Sequence, residues 1–371
     1  DSRFEYGPTA KLGEAAAEDC RRLVHRARLQ GLQPGATYYG RGAGTAPDGS
    51  LYYGPTIEFT PAAIVPPPTR EGITHVPLVV HNAHAVNAAG WPVTNGVPFP
   101  QGALASEDDV RLLRDGKEVL AQFKPLGTWP DGSIKWLLVS ILTDVPAGGD
   151  ARFTLEFGRE AHRSAEAADL TSLAVEKEGI IQIDTGAVQL QIDAHGQLVG
   201  PHGPCVTELV DGSGKRFTSA MANAETTIEE NGPVRLVVKT TGDLTAEDGA
   251  TSFRIEQRIE AWRGRPFVRV YHTFINTLPD DVSKTKLQTT QSQQFADVER
   301  MSLAVPAPHA AWQAPLAEGE PLTLKSGERI WQRFDDEFVP AGGEPVKGRV
   351  VGGLVAEGGA AAVSVRDFWQ N

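Results

Sequence analysis

The feature of the sequence that most constrains the fold is the segment TSFRIEQRIEAWRGRPFVRVYHTFIN at residues 251–276. Apolar and polar residues alternate along both of its arms, on either side of Arg263-Gly264-Arg265-Pro266. Because successive side chains of a β-strand point to opposite faces, this period of two predicts a long hairpin with its turn at 263–266. One face of the hairpin is predicted to be buried and the other exposed, as in a large antiparallel sheet.

Alternation and turn residues recur along much of the rest of the chain. The 39 glycines and 26 prolines among 371 residues fit many short strands joined by turns. Asp115-Gly116 lies between two apolar stretches and predicts a tight hairpin turn. The sequence therefore predicts an all-β protein.

Composition argues against two classes of function. The formal net charge is -12, and no basic stripe with interleaved aromatic residues occurs, so nucleic acid is not an expected partner. No apolar run approaches the ~18 residues of a membrane-spanning helix. The two cysteines, Cys20 and Cys205, lie far apart, and their spacing leaves open whether they pair or remain free thiols.

Shifts in the pattern divide the chain into four segments. Residues 63–74 contain three consecutive prolines and predict an extended linker. Before the linker, residues 1–62 contain LQGLQPGATYYGR, which resembles the late strands of a fibronectin type III domain, so a partial sandwich of that kind is predicted. After it, short strands at 75–160 predict a small β-barrel, and longer strands at 170–371 predict a large antiparallel β-sandwich.

Two motifs carry a more specific resemblance. NGVPFPQGAL at 95–104 precedes WPDGSIKW at 129–136, with DGKEVLAQFKPL between them. The pair resembles the N-terminal RIFT barrel of the exo-rhamnogalacturonan lyase and YetA-like family. GRPFVRVYHTFIN and the closing VRDFWQ resemble that family's central β-sandwich, so the resemblance covers roughly residues 75–371.

The resemblance implies a function and a larger polypeptide. The family's activity would be cleavage of a polysaccharide by β-elimination, in a secreted or cell-surface bacterial enzyme. The native protein is expected to extend upstream of Asp1 and beyond Asn371. A downstream α/α toroid of the same polypeptide, absent from this chain, is expected to supply much of the active site.

The WPDG stretch of the second motif has two interpretations. Pro130-Asp131-Gly132 suits a tight turn, because proline presets φ, aspartate bonds nearby backbone and glycine accepts a positive φ. Trp129 beside this turn is a candidate for stacking on a sugar, with core packing as the alternative. Trp136 is predicted to pack in the core, so the stretch is interpreted as mainly structural.

Candidate catalytic residues lie on the second arm of the long hairpin. Elimination beside a uronate carboxylate needs a base, a cation that neutralises the carboxylate and an acid for the leaving oxygen. Arg269, Tyr271 and His272 have suitable chemistry, and alternation predicts Arg269 and Tyr271 on one face and His272 on the other. The alternative for each residue is a structural role, in which its side chain pairs with a neighbour in the sheet.

No metal site or cofactor is predicted. His75, His81 and His84 lack the ligand spacing of a zinc site, and the Asp-containing turns at 211–216 and 280–286 lack that of a calcium loop. Calcium is therefore unsupported by the sequence.

Three functions remain open from the sequence. The first is the front part of a polysaccharide lyase, and the second is a non-catalytic glycan-binding or cell-surface protein. The third is a glycoside hydrolase, which needs two carboxylates across a cleft. Asp335, Asp336 and Glu337 are the carboxylates considered for it, with a solvated acidic turn as the alternative.

Overall fold

The computed structural model shows an all-β protein. It describes residues 2–18, 29, 31–46, 49–62, 71–164, 172–221, 224–277, 296–307, 311–325, 327–334, 336–340, 342–350, 353–356 and 362–365. Cys20, Asp335, most of the predicted linker, the turn at 280–286 and the end of VRDFWQ lie outside these ranges. The described residues contain β-strands and two 3₁₀ turns but no α-helix, and the chain divides into two compact units, 1–170 and 171–371.

The first unit begins with a five-stranded antiparallel sheet. Its strands are β1 (Ser2–Gly7), β2 (Glu14–Glu18), β3 (Tyr38–Thr45), β4 (Leu51–Tyr53) and β5 (Ile57–Phe59). The order is β2-β1-β3-β4, and β5 also pairs with β3. Phe59 stacks on Tyr38 with ring centroids 6.0 Å apart, which ties β5 to β3. The fibronectin-like assignment of this segment stays a prediction.

Seven strands then form two packed sheets. They are β6 (Thr74–His81), β7 (Ala88–Pro98), β8 (Val110–Arg114), β9 (Lys117–Glu118), β10 (Ala121–Thr128), β11 (Ile134–Val145) and β12 (Asp150–Phe157), with a 3₁₀ turn at Glu107–Asp109. The orders are β10-β11-β7 and β6-β12-β8-β9. Leu104, Leu112, Leu137 and Leu155 are buried in the core between them. The predicted Asp115-Gly116 hairpin turn is confirmed, with both residues at positive φ as a type I′ turn requires.

The second unit opens with two further sheets. One has the order β13 (Ala174–Lys177), β14 (Ile180–Asp184), β15 (Gln189–Ile192), β16 (Leu198–Gly200) and β17 (Gly203–Pro204). The other comprises β18 (Val206–Asp211), β19 (Arg216–Thr218), β20 (Ala224–Asn231), β21 (Arg235–Thr245), β22 (Thr251–Trp262), β23 (Val268–Ile275) and β24 (Val298–Ala304). Its order is β23-β22-β21-β19-β18-β24, with β20 also on β21 and a 3₁₀ turn at Ser219–Met221.

The long hairpin predicted from the sequence is confirmed as β22 and β23. Their register runs from Arg254 opposite Ile275 to Ala261 opposite Val268. Burial alternates along β23, so one face packs inward and the other is exposed. Ile183 of the first sheet packs in one core with Ile259 of the hairpin, which makes this part a β-sandwich.

The last part of the second unit has a small core of its own. Its strands are β25 (Ala311–Ala314), β26 (Leu322–Lys325), β27 (Trp331–Phe334), β28 (Glu337–Val339), β29 (Val346–Lys347), β30 (Gly353–Ala356) and β31 (Ala362–Ser364). They form sheets of order β26-β25-β30-β31 and β27-β28-β29 around Ala314, Leu324, Phe338 and Val350. The sequence did not separate this part from the sandwich, because strands this short show little alternation.

Within the described ranges, no helix has the length and apolar character needed to cross a membrane.

Candidate functional site

The two motifs that carry the family resemblance interlock in the structure. Four hydrogen bonds join them: Phe99 N to Lys135 O (2.9 Å), Trp129 Nε1 to Phe99 O (2.9 Å), Gly102 N to Ser133 Oγ (2.9 Å) and Ile134 N to Leu104 O (2.8 Å). We call residues 99–104 and 129–135 the motif latch. Its bonds connect segments about thirty residues apart in sequence, so the two motifs form one structural unit.

Asp131 and Ser133 organise the turn within the motif latch. Asp131 Oδ1 accepts hydrogen bonds from Ser133 N (3.0 Å) and from Ser133 Oγ (2.6 Å). These bonds, the side-chain one first, lower the pKa of the Asp131 carboxyl below its usual value. Gly132 has φ +85°, as the sequence predicted for a residue that must take a positive φ. The turn is therefore held by its own side chains and presents no unused polar group at Ser133, which is fully buried.

The two tryptophans of the second motif differ in exposure. Trp129 is half-buried, its indole N–H is bonded to Phe99 O, and the Lys135 ammonium lies 4.5 Å from its ring centroid. The inward orientation predicted for Trp136 is wrong: its side chain is 43% exposed. Trp136 follows the alternation of β11, in which Leu137, Val139 and Ile141 are buried, whereas Ile134 is buried because the register of β10 on β11 is irregular between it and Trp136.

Trp136 forms an exposed aromatic platform on the sheet. It lies next to Gly96, where an added Cβ would be 3.5 Å from the indole Cε3, so the ring lies against bare backbone. An exposed indole with one free side can stack on the apolar face of a sugar. Of the two tryptophans Trp136 is the more exposed, whereas the sequence had nominated Trp129 as the substrate-binding residue, a role that stays a prediction.

Arg269 and Tyr271 lie side by side on the exposed face of β23. Arg269 Nη1 is 3.5 Å from Tyr271 Oη, and both side chains are close to half exposed. Arg269 also contacts the Glu260 carboxylate at 3.4 Å, and its guanidinium lies 5.2 Å from the Trp262 ring centroid. The carboxylate and the indole on β22 therefore hold the guanidinium in place beside the phenol.

Below this pair lies a buried ionic cluster. Arg235 bonds both the Glu230 carboxylate, at 2.9 Å, and Glu260, and all three side chains are about nine-tenths buried. Glu260 is thus shared between the guanidiniums of Arg235 and Arg269, and with Glu230 it balances their two positive charges. We call Arg235, Glu260, Trp262, Arg269 and Tyr271 the charged face. Sequence reasoning missed Glu260 and Trp262, although their alternation with Ile259 and Ala261 places them on this face.

His272 points to the opposite face, as alternation predicted, and belongs to a row of polar side chains. Thr226, Thr240, Gln257 and His272 are consecutive cross-strand neighbours on β20, β21, β22 and β23. The threonine hydroxyls are 3.2 Å apart, and Gln257 Nε2 is 2.7 Å from His272 Nδ1. We call these four residues the polar ladder.

The polar ladder separates two apolar clusters on the inner face of the sheet. Ile259 and Val270 lie on one side of it, and Ile255 and Phe274 lie on the other. His272 Nε2 is 3.4 Å from the Oγ1 of Thr207, which is fully buried on β18. Since β18 is not a neighbour of β23, the sheet curls over its own inner face at this point.

Burial lowers the pKa of His272 from 6.5 to about 4. The cause is the loss of hydration of the charged form, so the imidazole is neutral near neutral pH. Its ring nitrogens contact Gln257 and Thr207, and its ring packs edge-on against Phe274. These contacts place His272 within the packing of the sandwich, separate from the exposed pair on the other face.

The remaining candidates lie apart from one another. His75 pairs with Glu156 at 3.2 Å and His81 with Asp150 at 2.8 Å, and no group of three or more metal-binding side chains occurs among the described residues. Cys205 is a free, half-buried thiol whose pKa is raised by burial. Glu337 pairs with Arg333 at 3.5 Å on β27 and β28.

An open concavity of ≈ 500 Å³ lies on the small sheet of the second unit. Gln182 and Gln191, which line it, are cross-strand neighbours on β14 and β15. Gln189 lines it as well, and its amide donates to Asp184 Oδ2 at 3.2 Å. Amide side chains on a sheet face can both donate to and accept from hydroxyl groups.

Comparison with known proteins identifies the barrel. Residues 80–156 match the family described as PcRGLX-like N-terminal RIFT barrel domain, and this stretch contains the motif latch. These residues form a PcRGLX-like RIFT barrel. The resemblance predicted from the two motifs is thereby confirmed.

Similarity to individual proteins is more distant. "Uncharacterized protein YetA" of Bacillus subtilis (strain 168) is 28% identical over 169 residues, which are 40% of this chain and 19% of YetA. An alpha-mannosidase from Enterococcus faecalis V583 aligns with 71% of this chain and 36% of its own at 12% identity and a TM-score of 0.44. A glycosyl hydrolase family 38 protein from Enterococcus faecalis aligns over the same shares at 12% identity, with a TM-score of 0.38. With TM-scores below 0.5, these two structures support no statement about the function of this chain.

Proposed function

We propose that this chain is the front part of a secreted polysaccharide lyase that cleaves a uronate-containing glycan of the rhamnogalacturonan type. The observation that carries the proposal is the exposed Arg269–Tyr271 pair, 3.5 Å apart, in a chain with a PcRGLX-like RIFT barrel. A downstream α/α toroid of the same polypeptide would complete the active site. The polymeric substrate accounts for the proposed secreted or cell-surface location.

The chemistry of elimination assigns a role to each member of the pair. A base removes the proton from the carbon beside the uronate carboxylate, and the electron pair forms a carbon–carbon double bond. The neighbouring carbon–oxygen bond breaks, and the leaving oxygen takes up a proton. Arg269 would neutralise the carboxylate, which stabilises the charge that develops in the transition state. The Tyr271 phenol would donate the proton that the leaving oxygen takes up.

The charged face supports this division of roles. Glu260 and Trp262 fix the Arg269 guanidinium from one side, so little rotamer freedom is lost when it binds a carboxylate. Arg235 is paired with Glu230 as well as with Glu260, and the Arg269 side chain is 47% exposed, so its guanidinium remains accessible to a substrate carboxylate. Tyr271 is 47% exposed, so its hydroxyl is open to a ligand.

The test uses the polypeptide as its source produces it. R269Q and Y271F are each expected to lower the rate of formation of unsaturated uronate ends by roughly 100-fold or more, as for loss of a catalytic acid–base or charge-stabilising group. R254Q is the matched control, because Arg254 lies on the same face of β22 and pairs with Asp243 at 3.0 Å. Equal rates for all three variants and the wild type would refute the assignment of the pair.

A second candidate function is glycan binding without catalysis, and the exposure of Trp136 favours it. The indole at 43% exposure against Gly96 offers a flat surface for a sugar ring. If this candidate is correct, W136A abolishes binding of the polysaccharide, and no unsaturated product forms with any variant.

A further inference from the structure

The hairpin of β27 and β28 exposes an aromatic side chain at a concavity. Trp331 is 60% exposed, although it lies directly opposite Val339 in the register of the hairpin. The concavity has a volume of ≈ 480 Å³ and is lined by Glu328, Arg329, Trp331, Val339 and Pro340. This volume is within the range of roughly 300–1,000 Å³ typical of small-molecule sites.

The strand that carries Trp331 is held by the side chain of the next residue, Gln332. The amide nitrogen of Gln332 lies within hydrogen-bonding distance of Phe334 O (2.6 Å) and Glu337 O (3.1 Å), and its Oε1 accepts from Val350 N at 2.9 Å. Gln332 thus points inward and is satisfied by backbone, which leaves Trp331 on the outer side of the strand. A platform held in this way loses little entropy when a ligand binds.

The polar rim of the concavity supplies one positive group. Glu328 Oε2 accepts a hydrogen bond from Lys325 N at 2.7 Å, so one of its oxygens is committed to the backbone. Arg329 is exposed and makes no hydrogen bond or ion pair with another residue in the described part of the chain. A guanidinium in this situation can form two parallel hydrogen bonds to a ligand carboxylate.

We propose that this concavity binds an acidic sugar residue, with Trp331 stacked on the pyranose ring and Arg329 paired with its carboxylate. Val339 and Pro340 would form the apolar floor beneath the ring. The proposal rests on the proposed function for the class of polymer, a uronate glycan, and adds a binding site remote in sequence from Arg269 and Tyr271. Such a site would hold the polymer while elimination takes place elsewhere on the polypeptide.

Calorimetry with oligogalacturonate and with a neutral galacto-oligosaccharide of equal length tests the proposal on this chain. The wild type is expected to prefer the acidic ligand. W331A and R329Q are each expected to weaken its binding at least about tenfold, as for loss of a binding hot spot. Trp331 and Arg329 are exposed, so the thermal unfolding of both variants should match that of the wild type. R333Q and W91A are matched controls with unchanged affinity, since Arg333 pairs with Glu337 and Trp91 lies in the barrel.

The outcomes separate this site from the proposed lyase function. If W331A and R329Q bind like the wild type, the site is refuted whatever the lyase activity. Equal binding of neutral and acidic ligands would refute the role of Arg329. Loss of binding in both variants, in a polypeptide that forms no unsaturated product, would support the site and refute the lyase. Stronger binding of a sulfated sugar than of a uronate would refute the carboxylate as the group that is recognised.

Discussion

Acidification should destabilise the curled sheet of the second unit through His272. The folded state keeps this imidazole neutral because burial lowers its pKa from 6.5 to about 4. Between these two values the unfolded chain binds a proton that the folded chain does not bind. The stabilising contribution is therefore complete above about pH 6.5, falls as the pH decreases to about 4, and does not change further below that.

The magnitude follows from the size of the pKa difference. At about 1.4 kcal/mol for each pKa unit, the decrease from 6.5 to about 4 sets an upper limit of about 3.5 kcal/mol. Because the His272 side chain is only partly buried, solvent screening reduces the expected loss to about 1–2 kcal/mol. Gln257 and Thr207, the polar groups in contact with the ring, carry no charge that could offset protonation.

Two experiments measure this effect. Proton NMR of the folded chain should give a midpoint near 4 for His272. Hydrogen exchange of β22 amides reports the unfolding of this sheet, and H272Q should lose less of its stability than the wild type between about pH 7 and pH 4. H81Q, at an exposed histidine of the first unit, is the control. A midpoint near 6.5, or equal pH dependence in wild type and H272Q, would refute the reasoning.

Three further predictions concern single substitutions. G196A should destabilise the second unit by more than about 2 kcal/mol in denaturant unfolding, because the added Cβ would lie 2.2 Å from Thr240 Cγ2. G214A is the control: Gly214 also has a positive φ but has open space around it, so this variant should cost only about 1 kcal/mol. Equal costs would contradict the close packing at Gly196. D131A should cost about 1–2 kcal/mol, measured as a lower thermal midpoint of the barrel, since it removes both bonds to Ser133; an unchanged midpoint would contradict the role of Asp131 in holding the turn. W136A should leave this midpoint within about 1 °C of the wild type, because the indole is exposed, and a large decrease would mean that Trp136 is packed after all.

The alternation of side chains was sufficient to predict the large elements. Ten-residue arms on either side of residues 263–266 predicted the β22–β23 hairpin and the separation of His272 from Arg269 and Tyr271. Asp115-Gly116 predicted a type I′ turn, because aspartate and glycine accept the positive φ that both central residues of this turn require. These features depend on local sequence, so a single chain reveals them.

The structure differs from the sequence prediction where distant segments meet. Ile134 is buried and Trp136, two positions further on, is exposed, because the register of β10 on β11 is irregular between them. The contact of His272 with Thr207 joins residues 65 positions apart and depends on the curl of the sheet. Trp331 begins a strand too short for a periodic signal, and its concavity forms only where Val339 and Pro340 of the opposite arm meet it.

Cleavage by elimination is tested by the mass of the oligosaccharides that the polypeptide, as its source produces it, releases from rhamnogalacturonan. Elimination breaks the glycosidic bond without adding water, so each cleavage should yield a fragment with an unsaturated uronate end that is one water lighter than the hydrolysis product. Fragments of that mass, lost in R269Q and Y271F, are the predicted result. Fragments carrying the added water would identify a hydrolase, and binding of the polymer without release of any fragment would leave a glycan-binding protein; either result contradicts the account.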